Sequence, residues 1–359
     1  MKTIHETNLY VDLAQLERNF NYLKSLTRKN TKIIAVVKAF AYGMGDVEIS
    51  KKLESLGVDA LWVADFDEGV NLRKNGIEAP IIIANPGIKS YKTIIKYRLE
   101  PVVYNHKTLD IFAQSGASIN IHLKLNSGMN RYGFEVHEVD SILNTLDLNP
   151  NLNLSSICSH LSSSDSESLD DFSHQQLNVF RDTCSKIKLK LGKNIHTHIM
   201  NSNGLLRFED TNDTVRMGIA LYGISENPNL QQICCLESTI SQLRKIDENQ
   251  IVGYNNSYVS NKKISVAIIP IGYADGINRR QGMGKSSVVV NGTHCPIIGQ
   301  ISMDSLAIDA SDIQCKEGDK VIIFSPEHSL INIAKKINTI PYEIMATLNR
   351  RINRIYLEG

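Results

Sequence analysis

Lys38 is the first residue in the chain whose type and position could do chemistry. It follows residues 33–37 (IIAVV), whose length and β-branched content predict a buried strand. A lysine there is either a solvated surface charge, the commoner outcome, or it lies in a dry pocket that lowers its pKa and makes it a nucleophile or a base. Tyr42, Gly43 and Gly45 predict a short polar turn before the next helix, suited to holding an anionic group near the lysine. This neighbourhood favours a reactive Lys38.

Further polar or charged residues lie at or near the ends of later apolar runs. They are Lys124, His160, Asn201 and Ser202, and Arg216 comes early in the last run. Each alone has an ordinary explanation, such as a solvated lysine, a hydrogen-bonded core histidine or a surface ion pair. Barrel enzymes place their sites at the carboxyl ends of their strands, so several such residues together favour a catalytic centre.

Eight apolar runs alternate with helical patterns over more than half of the chain. The runs are residues 33–38, 60–64, 80–84, 101–104, 119–125, 154–160, 196–201 and 215–222, and the helical patterns are 47–56, 68–74, 91–97, 109–114, 139–146 and 172–189. This alternation predicts an α/β fold, either an open doubly wound sheet or a closed (β/α)₈ TIM-type barrel. Eight units of this length favour the barrel.

A second, mainly β domain is predicted after the barrel. From residue 237 the strand-like runs are short and separated by turns such as Asn291-Gly292; they are residues 239–243, 265–270, 287–290, 306–309 and 321–324, with one helix at 331–337. We therefore divide the chain into a barrel and cofactor-binding domain at 1–236, which includes a short leading strand near residues 8–11, and a β domain at 237–359.

Composition excludes several classes of protein. The 359 residues carry a net charge of only +1, which does not support nucleic acid or an anionic membrane as the main partner. No apolar run reaches the ~20 residues that a membrane span needs, and the first residues show no apolar signal core, so a cytoplasmic protein is predicted. The six cysteines form no CxxC pair, which predicts reduced thiols and no metal site.

Motifs along nearly the whole chain resemble those of bacterial alanine racemase. In order they are AVVKAFAYGMG (35–45), KLNSGMNRYGF (124–134), VRMGIALYG (215–223), VGYNNSY (252–258), IPIGYADG (269–276), IGQISMD (298–304) and PYEI (341–344). The resemblance implies a homodimeric isomerase that binds pyridoxal 5'-phosphate and shares its active site between subunits. It further implies a (β/α)₈ barrel followed by a β domain, and interconversion of L- and D-alanine for peptidoglycan.

The resemblance assigns two proton-transfer residues. Lys38 matches the lysine that carries the cofactor and whose freed amine moves the Cα proton on one face of the substrate. Tyr254 matches a tyrosine, contributed by the partner subunit, that serves the other face. An ordinary tyrosine pKa of ~10 must be lowered for that task. His160 matches a histidine linking that tyrosine to the arginine beside the pyridine ring, although a hydrogen-bonded barrel histidine is an equally good interpretation.

Arg216 matches the arginine that faces the pyridine nitrogen. A guanidinium only donates hydrogen bonds, so the ring nitrogen must stay an unprotonated acceptor. A neutral pyridine is a weaker electron sink, which disfavours transamination and keeps the reaction a racemisation. Without the resemblance, an arginine at the start of a strand is more often part of a surface ion pair.

The resemblance also implies the cofactor phosphate site. It comprises Tyr42, Ser202, the backbone N–H groups of Gly218 and Ile219, and Tyr342. Hydroxyls and backbone amides at turns after barrel strands bind phosphate without a lysine.

The predicted substrate site comprises Arg131 and the backbone N–H of Met303, which bind the carboxylate. Lys124 matches a lysine that is carbamylated in many relatives and orients that arginine; an ordinary salt-bridged or solvated Lys124 remains an alternative. Tyr273 and Tyr342 match a pair that narrows the entrance, unless they only pack an interface.

Three departures from the family pattern leave substrate breadth open. Phe40 stands where asparagine is usual, Met44 where histidine is usual, and Ser302 where cysteine is common. A serine or broad-specificity racemase, a barrel-type decarboxylase and a non-catalytic pyridoxal phosphate carrier are the alternatives. Arg216 and the VGYNNSY motif disfavour a decarboxylase, the second domain disfavours a carrier, and no His/Asp spacing suggests a metal hydrolase.

Overall fold

The computed structural model of the protein describes residues 4–209 and 213–358. Within it the chain forms two compact units. The barrel unit comprises residues 20–39 and 46–221, and the β unit comprises residues up to 19, 40–45 and those from 222 onward. The domain boundary between residues 236 and 237 stays a prediction.

The barrel unit is built on a sheet of eight parallel strands. After β1 (Asn8–Asp12) these are β2 (Lys32–Val36), β3 (Ala60–Val63), β4 (Ile81–Ile83), β5 (Glu100–Val103), β6 (Ile119–Lys124), β7 (Leu152–Cys158), β8 (His196–His198) and β9 (Thr214–Met217). They are joined in the order β8-β7-β6-β5-β4-β3-β2-β9. The sheet nearly closes where the N–H of Arg216 donates to the carbonyl of Met200 at 3.1 Å. Each predicted apolar run overlaps one strand, and the predicted barrel is confirmed.

Helices follow the strands of the barrel. They are α1 (Leu13–Ser25), α2 (Lys38–Tyr42), α3 (Asp46–Ser55), α4 (Phe66–Lys74), α5 (Tyr91–Lys96), α6 (His106–Gln114), α7 (Val139–Leu148), α8 (Asp170–Leu191) and α9 (Ser202–Arg207). Short 3₁₀ turns in the whole chain lie at Val136–Glu138, Glu167–Leu169, Ile219–Tyr222, Tyr254–Asn256, Tyr273–Asp275 and Arg279–Gln281. At α4 the local sequence explains where the helix begins. Asp65 precedes its first residue, and the Asp65 side chain caps the helix by accepting the N–H of Glu68 at 3.2 Å. The predicted helical patterns overlap α3 to α8.

Polar side chains occur on strands that are otherwise mainly apolar. Parallel strands are covered on both faces and therefore read as apolar runs. Five strands that follow one another around the barrel, β5 to β9, nevertheless each contribute a residue to one polar set: Glu100, His122, Ser156, His198 and Arg216. The last four are at most 5% exposed. Buried polar groups need hydrogen-bond partners, and these residues find partners in one another.

The β unit is built on a nine-stranded sheet. Its strands after β1 are β10 (Cys234–Thr239), β11 (Gln242–Ile246), β14 (Ile264–Ile269), β15 (Ser287–Val290), β16 (Thr293–Ile298), β17 (Leu306–Asp309), β18 (Lys320–Phe324) and β19 (Asn353–Leu357), while β12 (Ile251–Val252) and β13 (Tyr258–Val259) form a separate ribbon. The order is β11-β14-β17-β16-β15-β18-β10-β1-β19. Two helices, α10 (Leu330–Lys336) and α11 (Pro341–Ala346), complete the unit. The predicted mainly β character is confirmed.

One predicted strand of this unit is wrong. Residues 239–243 do not form a single strand, because β10 ends at Thr239 and β11 begins at Gln242. Between them the N–H of Ile240 donates to the carbonyl of Asp319 at 3.0 Å, and the N–H of Ser241 donates to the carbonyl of Ile268 at 2.8 Å. The chain therefore changes partner strand at these two residues, from β18 to β14.

Candidate active site

Lys38 begins a turn of left-handed helix. The four residues after it, Ala39, Phe40, Ala41 and Tyr42, have φ of +54°, +56°, +51° and +53°. Each such residue other than glycine costs roughly 1–2 kcal/mol, so the surroundings must hold the turn. The sequence predicted only a short polar turn here, because a left-handed conformation is normally signalled by glycine or asparagine.

Glu68 holds the start of this turn. Its carboxylate accepts the N–H of Ala39 at 2.6 Å and the N–H of Ala64, at the end of β3, at 2.7 Å. Glu68 lies in the first turn of α4, so the helix sets the position of the carboxylate. The backbone on the carboxyl side of Lys38 is thereby tied to the neighbouring strand of the barrel. Sequence reasoning missed Glu68, since nothing in its local sequence distinguishes it from a solvated helix residue.

The rest of the turn is held within the β unit. The ring of Phe40 packs against two guanidinium groups, with the Cζ of Arg350 at 4.6 Å and that of Arg354 at 4.8 Å from its centroid. Arg354 Nε also donates to the carbonyl of Gly43 at 2.8 Å, and the hydroxyl of Tyr356 donates to the carbonyl of Met44 at 3.1 Å. These contacts give a structural reason for an aromatic residue at position 40.

Cationic groups crowd around Lys38 in the barrel unit. The side chain of Lys38 reaches solvent but is partly buried, and this burial is the main cause that lowers its pKa. Arg131 and Arg216 lower the pKa further, and Glu68 alone opposes them. Burial, Arg216, Arg131 and Lys38 lower the pKa of Lys124 to about 8, against a smaller opposing effect of the Cys158 thiol. The amines of both lysines are therefore easier to deprotonate than free lysine.

Arg216 lies in the barrel with both terminal nitrogens of its guanidinium hydrogen-bonded. Its Nη2 donates to the carbonyl of Ser159 at 2.6 Å and to that of Ile199 at 3.2 Å, and its Nη1 donates to the carbonyl of His198 at 3.1 Å. Its Cζ lies 5.3 Å from the Trp62 ring centroid. Burial lowers the pKa of Arg216 to about 10, so the group remains protonated at neutral pH.

His160 and His198 both accept a hydrogen bond from Arg216. Arg216 Nη2 lies 3.1 Å from His160 Nδ1, and Arg216 Nη1 contacts His198 Nδ1. Burial and the guanidinium hold the pKa of both histidines well below the usual range, so both rings are neutral. Because arginine only donates, each Nδ1 must be the acceptor and each Nε2 must carry the proton. His198 was missed from the sequence because its strand, HTH, carries no distinctive spacing.

Ser202, Gly218 and Ile219 come together after β8 and β9. The hydroxyl oxygen of Ser202 accepts the N–H of Gly218 at 2.8 Å and that of Ala220 at 3.4 Å. Ser202 is the first residue of α9, and the cap residue Asn201 accepts the N–H of Gly204 at 2.8 Å. This geometry leaves the hydroxyl proton of Ser202 to be donated to another group.

Arg131 lies on a closed loop after β6. The N–H of Phe134 donates to the carbonyl of Lys124 at 2.8 Å, and the N–H of Asn126 donates back to the carbonyl of Phe134 at 2.9 Å. Gly133 is required because a Cβ there would collide with the backbone of Leu125 and Asn126. Among the ion pairs of the described residues, neither Arg131 nor Lys124 has a carboxylate partner. A salt-bridged Lys124, one of the two ordinary alternatives, is therefore not what the structure contains.

The aromatic residues predicted for the phosphate and entrance lie in the β unit. The ring of Tyr42 packs 4.8 Å from that of Tyr222 and 6.0 Å from that of Tyr342, centroid to centroid. Burial, and then Tyr342, raise the pKa of Tyr42, so its hydroxyl stays a donor. The N–H of Tyr273 donates to Ser302 at 3.0 Å, which brings Tyr273 beside the loop that carries Met303.

Tyr254 stands apart from these groups on the 3₁₀ turn Tyr254–Asn256. Its side chain is 64% exposed. Met303 is also largely exposed, at 57%. Tyr254 and Met303 of the β unit thus reach solvent, whereas His160 and Arg216 of the barrel unit contact each other.

Two family models match the chain. The alanine racemase N-terminal domain matches residues 11–226, and the alanine racemase C-terminal domain matches residues 233–356. The chain belongs to the alanine racemase family. The resemblance drawn from the motifs is confirmed, and so is the prediction of an enzyme of the isomerase class.

Similar proteins cover nearly all of the chain. An alanine racemase of Treponema denticola is 33% identical over 375 residues, which cover 98% of this chain and 98% of the relative. One of Rickettsia canadensis is 35% identical over 361 residues, covering 97% of this chain and 98% of the relative.

Solved alanine racemases have the same fold. That of Clostridium difficile 630 gives a TM-score of 0.92 at 31% identity and covers 100% of this chain and 97% of its own. That of Bacillus anthracis, described with bound L-Ala-P, gives 0.92 at 28% identity, covering 100% and 97%. That of Bartonella henselae, described with covalently bound pyridoxal phosphate, gives 0.90 at 28% identity, covering 99% and 100%.

The described residues contain neither a metal-binding cluster nor a membrane-spanning helix. Across residues 4–209 and 213–358, no group of three or more His, Cys, Asp or Glu side chains is placed to hold a metal ion. In that part of the chain no helix combines the length and apolar character needed to cross a membrane.

Proposed function

We propose that the protein is a pyridoxal phosphate-dependent alanine racemase that interconverts L- and D-alanine with two bases, Lys38 and Tyr254. The observation that carries the proposal is the cationic cluster at the carboxyl ends of the barrel strands. It combines a lysine of lowered pKa with a buried, protonated Arg216. In the cell we expect it to act in the cytoplasm and to supply D-alanine for peptidoglycan.

The residues of the barrel unit fit an anionic cofactor. After burial, the largest cause, Arg131 and Arg216 lower the pKa of both Lys38 and Lys124, and Glu68 is the carboxylate that opposes the lowering at Lys38. A bound phosphate and a substrate carboxylate would relieve this excess of positive charge. We propose that Ser202 and the N–H groups of Gly218 and Ile219 hold the phosphate, together with the hydroxyls of Tyr42 and Tyr342.

Pyridoxal phosphate, when bound, supplies an electron sink that acidifies the Cα proton of the amino acid. Lys38 would hold the cofactor and then take or return that proton at Nζ, for which a lowered pKa is suited. Arg216 would donate to the pyridine nitrogen and keep it unprotonated, because a guanidinium offers no acceptor.

Tyr254 would move the proton on the opposite face of the substrate. An exposed tyrosine on a single chain needs a further surface to become part of a dry site, and we propose that a homodimer provides it. His160 is suited to the supporting role because its Nε2 proton can be donated while Arg216 occupies its Nδ1. The proposal thus assigns both bases and the group between them.

The substrate carboxylate would bind Arg131 and the N–H of Met303. With its pKa near 8, Lys124 is partly neutral at physiological pH, and a neutral amine is what carbamylation by carbon dioxide requires. We propose a carbamylated Lys124 as the anionic partner of Arg131. Tyr273 and Tyr342 would narrow the entrance and favour a side chain as small as methyl.

Proton NMR of L-alanine with the purified protein and pyridoxal phosphate in deuterated water tests the proposal. Chiral analysis of the product follows, with L-serine in parallel. Loss of the α-proton signal together with D-alanine is the expected result, and the serine trace measures substrate breadth. Absence of α-proton exchange with every amino acid tried would overturn the proposal.

A further inference from the structure

Five side chains form a continuous hydrogen-bonded chain through the barrel unit. Glu100 Oε2 lies 2.9 Å from His122 Nε2, His122 Nδ1 lies 2.6 Å from Ser156 Oγ, and Ser156 Oγ lies 2.9 Å from His198 Nε2. His198 Nδ1 then contacts Arg216 Nη1. The chain uses one residue from each of the five strands β5 to β9.

The two ends of the chain determine the direction of every bond in it. Arg216 can only donate, so the Nδ1 of the neutral His198 accepts and its Nε2 carries the proton. That proton is donated to Ser156 Oγ, whose own hydroxyl proton is then free for His122 Nδ1. His122 must donate its Nε2 proton to Glu100, which as a carboxylate only accepts. Reversing the bond at Arg216 or the bond at Glu100 would place two donors or two acceptors face to face.

Glu100 is the only carboxylate among these five residues, and it is ionised. Burial opposes ionisation, but the hydrogen bonds from His122 and from Asn120, the latter at 2.7 Å, prevail and lower the pKa of Glu100. The remaining hydrogen bonds that the structure describes for the Arg216 guanidinium go to backbone carbonyls and to His160. The negative charge nearest along its hydrogen-bond network is therefore four bonds away.

We infer that Glu100 is a positioning residue for Arg216, acting through His122, Ser156 and His198. Arg216 fixes the tautomer of His198, whereas Glu100 fixes that of His122. Glu100 thereby keeps the Ser156 hydroxyl directed at His122 Nδ1 and an oxygen lone pair of Ser156 directed at His198 Nε2, which holds the ring that accepts from Arg216. Arg216 is then oriented by an acceptor that cannot rotate or change its proton. The inference rests on the proposed function only in that Arg216 faces the pyridine nitrogen; the tautomer chain itself does not depend on the reaction.

A cavity of about 230 Å³ adjoins this end of the chain. Among its lining residues are Glu100, Asn120, His122 and His198. It offers room for a small carboxylate such as acetate beside the position of Glu100. Chemical rescue of a truncated variant is therefore possible, which a purely structural role for Glu100 would not predict.

The experiment compares Glu100→Ala, Glu100→Gln and Ser156→Ala with the matched control Glu54→Gln. Glu54 is also a carboxylate of the barrel unit and accepts two backbone N–H groups, from Glu78 at 2.8 Å and Ala79 at 2.6 Å, but it is outside the chain. The first readout is ¹⁵N NMR of the histidine rings without cofactor. Wild type should show His122 and His198 protonated at Nε2. Glu100→Ala should populate the other tautomer of His122, and Ser156→Ala should shift the His198 Nε2 resonance because the acceptor of its proton is lost; Glu54→Gln should change neither.

The second readout is steady-state kinetics of the protein loaded with pyridoxal phosphate. We expect Glu100→Ala and Ser156→Ala each to lower kcat roughly tenfold, by analogy with loss of other outer partners of a positioned histidine. KM for alanine should change less than twofold, and the double variant should be no slower than Ser156→Ala. Glu100→Gln keeps an acceptor oxygen and should lose less, and acetate should restore part of the activity of Glu100→Ala.

Unchanged histidine tautomers in Glu100→Ala would overturn the inference, and so would losses in kcat that multiply in the double variant. Equal losses in Glu54→Gln would show a general effect on folding and would overturn it as well. If wild type fails to racemise alanine, the proposed function fails, while the tautomer measurement still decides whether the chain exists.

Discussion

The side chains hydrogen-bonded around Arg216 in the barrel unit differ from Tyr254 and Met303 in the β unit in how far each set is completed by its own chain. Arg216 is 4% exposed and His198 is fully buried, and both are held by several hydrogen bonds. Tyr254 and Met303, by contrast, are more than half exposed. A buried polar network is costly unless it is satisfied, and the hydrogen bonds around Arg216 satisfy this one within the barrel unit. The exposed set gains its surroundings from something else, which we propose is a second copy of the chain.

Replacement of Lys38, in the barrel unit, should have the largest effect on racemisation. Lys38→Ala removes both the cofactor attachment and one base, so racemisation should fall by roughly 10⁴-fold or more. Chiral chromatography of the product measures the loss. Lys51→Ala, a lysine of the exposed pair with Glu48 on α3, serves as the control and should retain full activity. Activity above one-hundredth of wild type in Lys38→Ala would contradict the assignment.

Tyr254→Phe tests the β unit and should lower racemisation by roughly 10³-fold, as expected for loss of a proton-transfer group. Because the side chain is exposed, the unfolding midpoint in urea should not change. If sites are shared in a dimer, mixing Lys38→Ala with Tyr254→Phe after partial unfolding should restore about a quarter of wild-type activity, since half of the dimers are mixed and each has one intact site. No restoration would refute sharing.

Glu68→Gln tests how the charge of Glu68 affects the pKa of Lys38 in the barrel unit. Glu68 opposes the effect of burial, Arg131 and Arg216 on Lys38, so loss of its charge should lower the pKa of Lys38 further. The pH at which Lys38 becomes reactive toward an amine-directed reagent should therefore move down, as read by mass spectrometry of the protein without cofactor. We expect a roughly tenfold loss in kcat as well. Glu48→Gln on α3 is the control, and an upward shift in Glu68→Gln would contradict the expected sign.

Phe40→Leu should have the smallest of these effects, and we expect it to change the free energy of unfolding. It keeps an apolar side chain but removes the aromatic face between Arg350 and Arg354, which should lower the free energy of unfolding by about 1 kcal/mol. Urea unfolding measures the change. When Arg350 is already replaced by alanine, Phe40→Leu should lower the free energy of unfolding by less. An equal loss in both backgrounds would show that the Phe40 ring stabilises the protein by burial alone.

Features that depend on a local sequence pattern could be predicted from the sequence. Contacts between residues that are far apart in the chain could not, because only the fold brings those residues together. Apolar runs located the barrel strands, because both faces of a parallel sheet are covered. The motifs pointed to Lys38 and Arg216. Residues 239–243 (TISQL) misled because no glycine, proline, asparagine or aspartate marks the change of partner strand from β18 to β14. The left-handed turn carries four residues that normally avoid it, so propensity alone gives no sign of it.

The residues that sequence reasoning missed share one physical property. Glu100, His122, Ser156 and His198 are spread over some hundred positions of the chain and meet only because curvature of the sheet brings β5 to β9 around one interior. Glu68 was missed for the same reason, since its partners are the N–H groups of Ala39 and Ala64. Such contacts have no periodicity for a pattern to reveal.

The path of the chain through the β unit has a consequence for synthesis on the ribosome. Strand β1, near the start, pairs with β19 in the register Asn8 to Asn353, and residues 40–45 are held by Arg350, Arg354 and Tyr356. Translation must therefore nearly finish before the turn after Lys38 acquires the side chains that hold it. A nascent or truncated chain can form barrel strands early, but its lysine stays in an unfinished turn. Completion of the polypeptide is thus coupled to completion of the reactive site.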